Sequence, residues 1–126
     1  MKILAVGCML GLAMLAQAQA TPALEARCHE YVNAVVPHLP VVQDEITSAT
    51  GITCVSDILT VDMTVHDIPA GKYIDWSRGK SIVVKAVCEQ PIGWMQDGLT
   101  ANYRYYDTSG TFLYSFSFNK TDCPNS

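Results

Sequence analysis

The chain has few basic residues, and they do not form a dense cluster. Eight lysines and arginines stand against twelve acidic residues, which gives a formal net charge of −4. Nucleic acids and anionic lipids are bound through clustered cations that neutralise phosphates. Only Arg78, Lys80 and Lys85 come close together in the sequence. The composition therefore argues against nucleic acid as a partner.

Long hydrophobic runs are also missing, apart from one at the N-terminus. That run covers residues 3–16, whereas a membrane-spanning helix needs roughly 20 residues. It follows Lys2 and ends in A-Q-A-Q-A, the order typical of a cleavable signal peptide. We predict that residues 1–20 are a signal peptide cleaved after Ala20 or Ala18, which leaves residues 21–126 as a single periplasmic or secreted domain without a stable membrane anchor.

Two alternatives for this N-terminal run fit less well. A buried N-terminal helix would need a polar face to put toward water, and the run has none. Acylation at Cys8 would suit the preceding A-V-G sequence, but the apolar run continues past that cysteine. We therefore keep the cleaved signal peptide as the prediction.

The short motifs of common catalytic and metal sites are absent too. The sequence contains neither H-E-x-x-H nor G-x-S-x-G, and His29, His38 and His66 show no spacing typical of metal ligands. Residues 107–110 superficially resemble an aspartic-protease loop, but the pattern occurs once and lies between two predicted strands, where it suits a turn. We predict no catalytic residue, no metal site and no cofactor.

The chain does contain an even number of cysteines after the signal peptide, namely Cys28, Cys54, Cys88 and Cys123. In an exported domain this count predicts two disulfides. Zinc binding is the alternative, but it needs short paired spacings such as C-x-x-C, and these cysteines are far apart. Several pairings are possible. We favour Cys28 with Cys54 and Cys88 with Cys123, because each bond would tie a helix to a strand.

Helical and strand patterns alternate along the domain. The predicted elements are a helix over 22–36, strands over 46–55 and 58–66, a helix over 75–88, a helical turn over 91–97, and hairpin strands over 100–106 and 111–118. Thr21 can cap the first helix, and Pro37 should end it. The segment 75–88 could instead form a strand, because it contains several β-branched residues. The order predicts an α+β fold, an antiparallel sheet of about four strands with helices on one face.

The final hairpin is the clearest element in the sequence. A period of two predicts four aromatic side chains on one face of its second strand, namely Phe112, Tyr114, Phe116 and Phe118. Tyr103 and Tyr105 of the first strand join that face only in some registers. The sequence leaves the register of the hairpin open.

Aromatic residues are the best candidates for binding. They are Trp76, Trp94, Tyr103, Tyr106 and Tyr114. Tryptophan and tyrosine are enriched at protein-binding surfaces, because they present a large apolar area with a polar tip. Packing in the core is the alternative for each of them.

Three segments together carry a wider pattern: L-P…D-x-x-T over 39–47, C-x-x-P…G over 88–98, and Y-x-Y-x-D…G…D-C over 103–123. In this pattern the chain resembles a group of small, exported, mostly uncharacterised bacterial proteins. The resemblance implies that Cys88 and Cys123 form a structural pair, whereas Cys28 and Cys54 lie outside the pattern. It brings no catalytic residues with it.

We expect a non-enzymatic module that binds another exported or envelope protein, as an envelope-assembly accessory or as an inhibitor or immunity-type protein. An exposed aromatic patch would favour this hypothesis, and burial of Trp76, Trp94 and Tyr106 would count against it.

Two other function classes stay open. A small-molecule or glycan binder requires a concave pocket walled by aromatic residues, with a few convergent polar groups. A hydrolase requires two carboxylates that face one cleft. The candidates for such carboxylates are Asp44, Asp62 and Asp107.

Overall fold

A computed structural model describes residues 21–66, 68, 73–90 and 93–124. The predicted signal peptide, residues 1–20, lies outside these residues, as do the first two residues of the predicted turn over 91–97. The helices are α1 (Pro22–Val35), α2 (Trp76–Cys88) and α3 (Trp94–Asp97), with short 3₁₀ helices at Val36–His38 and Lys120–Asp122. The strands are β1 (Val41–Val42), β2 (Thr47–Val55), β3 (Ile58–Val65), β4 (Thr100–Asp107) and β5 (Phe112–Phe118).

The sheet is mixed and has five strands in the order β1-β2-β3-β4-β5. This corrects the prediction of an antiparallel sheet with about four strands, although the α+β class and the order of the main elements hold. The two-residue β1 was missed, because it is too short to show a period. β3 and β4 pair in parallel, because the connection between them carries α2 and α3 and brings the chain back to the end of the sheet where β3 began.

The helix ends follow local rules that the sequence displays. The Thr21 hydroxyl accepts a hydrogen bond from the Leu24 N–H at 3.1 Å, and Pro22 takes the first position of α1. Asp75 caps α2 in the same way, accepting from the Arg78 N–H at 3.0 Å. Residues 76–88 are therefore helical, and the alternative strand does not form.

One face of the sheet is apolar and lies under all three helices. On β3 every apolar side chain of this face is buried, namely Leu59, Val61, Met63 and Val65. The neighbouring strands add buried residues to the same face, and these are Ala49, Ile52, Ala101, Tyr103, Tyr105, Phe116 and Phe118. We call this the core face. Full burial of one such side chain contributes about 1.5–3 kcal/mol.

The opposite face carries polar residues and has no helix over it in the described part of the chain. Its centre is an ion pair in which the Arg104 guanidinium donates to both carboxylate oxygens of Asp62, at 2.7 and 3.1 Å. Thr50 and Thr64 hydroxyls meet at 2.9 Å beside it. We call this the open face.

The register of the β4–β5 hairpin contains a bulge. Tyr103 lies opposite Phe116 and Tyr105 opposite Tyr114, but Tyr106 lies opposite Phe112, so β5 has one extra residue. A bulge of this kind changes the face of every later side chain. Phe112 therefore leaves the core face and packs edge-on against Tyr106 at 5.8 Å. The prediction that Phe112 shares a face with Tyr114, Phe116 and Phe118 is wrong.

Two disulfides join the helices to the rest of the domain. Cys28 of α1 bonds Cys54 of β2, and Cys88 at the end of α2 bonds Cys123, just beyond the last 3₁₀ helix. This is the pairing that the sequence favoured. Each bond is expected to stabilise the fold by about 3–4 kcal/mol, because a closed loop of this size lowers the conformational entropy of the unfolded chain. No helix among the described residues is long and apolar enough to cross a membrane.

Candidate functional site

The first candidate site is a cavity between α2 and the core face, with a volume of about 190 Å³. Its floor is formed by Met63, Val65 and Tyr105. Trp76 and Ile82 of α2 form one wall. Side chains from the connection between β1 and β2 form the opposite rim. The cavity is open to solvent and largely apolar.

A second cavity of about 200 Å³ lies next to the first on the core face. Its floor consists of Ile52, Val61 and Tyr103. Val61 and Tyr103 lie two residues before Met63 and Tyr105 on β3 and β4, and Ile52 of β2 lies opposite Val61. Its walls include Val35 at the end of α1 and Trp94 of α3. Gln43 borders both cavities. We refer to the two cavities together as the groove.

The groove exists because the helices are anchored at points away from the centre of the sheet. The Cys28–Cys54 bond holds α1 over β2, and the Cys88–Cys123 bond holds the end of α2. Where α2 borders the groove it carries Gly79, and a Cβ atom there would meet nothing within 4 Å. The space between the helices is therefore left unfilled.

Trp76 fixes the start of α2 on the sheet. Its ring stacks on Tyr114 at 4.9 Å and meets Tyr105 edge-on at 5.2 Å. Such pairs stabilise contacts by about 0.5–1.5 kcal/mol beyond the area they bury. Burial, with a smaller effect of the negative charge of Asp44, raises the pKa of Tyr105 to about 12. The hydroxyl of Tyr105 stays protonated at neutral pH, so the floor of the groove carries no charge.

The acidic group at the rim of the groove is already engaged. One carboxylate oxygen of Asp44 accepts hydrogen bonds from the Ile46 and Thr47 N–H groups, each at 2.9 Å. This contact fixes the turn into β2 and explains why an acidic residue stands there. The Lys80 ammonium lies 6.0 Å from the centre of the Phe116 ring. The groove is thus largely apolar, with polar side chains at its rim, namely Gln43, Asp44, Thr47 and Lys80.

The five aromatic residues predicted to bind do not form one surface. Trp76 and Trp94 are half-buried and line the groove, and Tyr103 is a buried part of its floor. Tyr114 lies under Trp76. Tyr106 points to the open face, next to Phe112. The groove thus gathers three of the five, and the partial exposure of both tryptophans keeps a binding role open to them.

The three carboxylates considered for a hydrolase lie at separate places. Asp44 caps the turn at the rim of the groove, whereas Asp62 is paired with Arg104 on the open face. Asp107 accepts hydrogen bonds from the Ser109 hydroxyl and from two backbone N–H groups of the hairpin turn, which lowers its pKa. They do not face one cleft. Among the described residues, no three His, Cys, Asp or Glu side chains are placed to hold a metal ion.

A polar cluster that the sequence did not reveal joins α1 to α3. The Tyr31 hydroxyl and the Arg27 guanidinium both donate to the same carboxylate oxygen of Asp97. The hydrogen bond from Tyr31, followed by the contacts with Arg27, lowers the pKa of Asp97. Asp97 is distant in sequence from both partners, so no spacing could have indicated its contact with them. The cluster supports the end of the groove that contains Trp94, whose ring lies 6.4 Å from Tyr31.

The sequence pattern gives no indication of the groove itself. Ile82 and Val83 are neighbours on α2. In the structure Val83 is partly buried, but Ile82 is 59% exposed beside the groove. An apolar helix face predicts that the helix packs against other apolar groups, but it does not distinguish a filled core from an open groove.

Comparison with known proteins places the fold. No protein family matches the chain, and no curated protein is detectably similar to it in sequence. The pilotin EpsS of the Vibrio vulnificus type 2 secretion system is a similar structure, with a TM-score of 0.71 and 15% identity over 82% of this chain and 94% of that one.

Two further solved structures have the same fold. The type II secretion system pilotin AspS of Vibrio cholerae gives a TM-score of 0.68 at 14% identity, over 86% of this chain and 98% of its own. A Pseudomonas aeruginosa protein inferred to be secreted gives 0.69 at 15% identity, over 81% and 94%. At such low identity the likeness establishes the fold, which this domain therefore shares with pilotins of type II secretion systems along nearly their whole length.

Proposed function

We propose that this protein is a non-enzymatic accessory protein of a bacterial envelope assembly, and that it binds an apolar segment of another envelope protein in the groove. The observation that carries the proposal is the groove: an open, largely apolar cleft on a disulfide-tied frame, walled by two partly buried tryptophans. Concave, largely apolar clefts are typical of binding sites.

The comparisons support the envelope setting. Two of the similar structures are named as pilotins of type II secretion systems, and the third is inferred to be secreted. The match spans more than nine-tenths of each of these chains, so it covers the whole domain rather than a shared fragment. This fold supports a pilotin-like role in assembling a secretion complex.

The size of the groove fits side chains of a protein segment. An apolar cavity of about 150 Å³ holds a benzene ring, so each of the two cavities has room for at least one aromatic or branched aliphatic side chain. An amphipathic segment places such side chains in a row along one face. The groove therefore suits two or more neighbouring apolar side chains from one partner segment.

A small-molecule or glycan ligand is less well supported. Ligand pockets of that class combine apolar walls with a few polar groups that point at the ligand. Here the carboxylate of Asp44 is bonded to the backbone, and the floor is apolar apart from two tyrosine hydroxyls. We therefore favour the protein partner.

Periplasmic or extracellular localisation belongs to the same proposal. It rests on the predicted signal peptide over 1–20 and on the two disulfides, which persist in oxidising compartments. The mass of the protein recovered from its native host should match residues 21–126 or 19–126 with both disulfides formed. A mass that retains residues 1–20 would contradict this part of the proposal.

The experiment for the groove compares two substitutions of the same kind. Ile82→Glu places a charge at the groove, and Val55→Glu places the same charge on β2, at a position that is 68% exposed and away from the groove. Both sites are exposed, so both variants should fold. We expect wild type and V55E to be cross-linked in the envelope of the native host to the same assembly component, and to restore assembly in a strain that lacks the gene. I82E should lose both properties.

Equal cross-linking and complementation by I82E and V55E would rule out the groove as the binding site. A strain lacking the gene that assembles its envelope complexes normally would rule out the accessory role. Thermal melts of both variants provide the control for folding.

A further inference from the structure

The outer edge of β5 is a second surface on which another strand could pair. β5 is the last strand of the sheet and spans Phe112–Phe118. In an antiparallel strand every second residue directs its N–H and C=O away from the neighbouring strand. Within the described residues, no other strand pairs with this outer side of β5. It therefore offers a row of unused backbone hydrogen-bonding groups.

Exposed edge strands in monomers are usually protected against pairing by charged residues, by proline or by bulges. β5 has the sequence F-L-Y-S-F-S-F, with no charged residue and no proline. Its bulge lies at the start of the strand, between the pairs formed by Tyr105 and Tyr106. The stretch from Tyr114 to Phe118 is regular and has none of these protective features.

The same stretch is symmetric in its chemistry. Around Phe116 the sequence reads aromatic, serine, aromatic, serine, aromatic. Two identical strands that pair antiparallel are related by a two-fold axis. Each residue before the residue on the axis then faces the residue equally far after it in the second copy, so these two residues must be compatible. A pair centred on Phe116 would set Ser115 against Ser117 of the second copy and Tyr114 against Phe118. Both pairings join like with like.

We propose that two copies of this protein associate through antiparallel pairing of β5 with β5, centred on Phe116, to form one continuous ten-stranded sheet. The strand is uncharged, so no like charges are opposed along it. Phe116 and Phe118 are buried in the core of each copy, so the association would depend mainly on backbone hydrogen bonds between the two strands. We favour a second copy over a strand of another protein as the partner. The sequence of Tyr114–Phe118 is symmetric about Phe116, and this symmetry matches the two-fold axis of a self-paired strand.

The dimer is expected to be weak. A five-residue strand pair buries less than the standard interface, which covers roughly 1,600 Å² in total. The Lys80 ammonium lies over Phe116 in each copy, so two cations approach the two-fold axis and oppose association. Pairing should therefore be visible only as a concentration-dependent equilibrium.

The test uses sedimentation velocity of the oxidised protein over a concentration series. Wild type should shift from monomer toward dimer as concentration rises. The double variant Ser115→Lys and Ser117→Lys sets like charges against each other twice across the axis, and it should remain monomeric. The double variant Thr53→Lys and Val55→Lys puts the same two charges at exposed sites on β2, and it should dimerise like wild type.

A third variant tests the register. With Ser115→Lys and Ser117→Glu, the lysine of each copy meets the glutamate of the other, so dimerisation should return. A wild type that stays monomeric at every concentration would overturn the proposal, as would a dimer that S115K/S117K leaves intact or that S115K/S117E fails to restore. Circular dichroism melts of each variant verify that the fold is retained.

Discussion

At the scale of single residues, the charge of Asp97 matters most in the contact between α1 and α3. The contact of Asp97 with Tyr31 and Arg27 is the main polar link between α1 and α3 in the described structure. The carboxylate is partly shielded, whereas the second partner of Arg27, Glu30, lies on the surface at 3.5 Å. An exposed pair of that kind contributes little, because solvent screens it and both side chains lose freedom.

The pKa of Asp97 gives a stability prediction with a definite sign. Its pKa is lower in the folded state than in the unfolded chain, because Tyr31 and Arg27 favour the ionised form. The contribution is therefore present above the unfolded pKa near 4 and is lost as the pH falls through the folded value. Asp97→Asn keeps the shape and removes the charge, so it should cost about 1 kcal/mol at pH 7 and clearly less at pH 3.

Urea denaturation of wild type and D97N at the two pH values measures this difference. Glu30→Gln is the matched control and should change stability by less than about 0.5 kcal/mol at either pH. An effect of D97N that is equal at pH 7 and pH 3 would show that the charge of Asp97 does not contribute.

At the scale of elements, two glycines have opposite roles. Gly79 lies inside α2 in open space, whereas Gly98 ends α3 with a φ of 92°. In a helix interior alanine is more stabilising than glycine, chiefly because alanine lowers the conformational entropy of the unfolded chain. Alanine in the left-handed conformation is strained instead.

Gly79→Ala should therefore stabilise the domain by about 0.5–1 kcal/mol, and Gly98→Ala should destabilise it by about 1 kcal/mol. Thermal unfolding of both variants beside wild type tests the pair. Destabilisation by G79A would mean that the wall of the groove near Gly79 is more crowded than the open space around its Cα indicates.

The elements differ in how far the sequence predicts them. Local signals such as the cap at Thr21 and the alternation on β3 depend only on nearby residues, so helix positions and the buried face of β3 were predicted well. The parallel pairing of β3 with β4 and the bulge in β5 depend on contacts between distant segments. Phe112 illustrates this, because its period matches Phe116 although one inserted residue turns it to the other face.

For the whole molecule, the sequence indicated a stapled α+β domain with apolar helices but not the space between those helices. Whether that space is filled or open depends on where the disulfides anchor α1 and α2. No local sequence pattern predicts these anchor positions. The groove that serves as the candidate site therefore emerged only from the assembled fold. The frame that keeps it open depends on Cys28–Cys54 and Cys88–Cys123.

Loss of both disulfides should unfold the domain. The bonds join residues 26 and 35 positions apart, and each is expected to contribute about 3–4 kcal/mol. Together they approach the net stability of a typical small domain, about 5–15 kcal/mol. Reductant should thus lower the urea midpoint sharply, and the paired variants C28A/C54A and C88A/C123A should each retain a folded state with an intermediate midpoint. A reduced protein that unfolds at the same urea concentration as the oxidised one would show that the apolar core alone maintains the fold, because the disulfides would then contribute nothing that reduction removes.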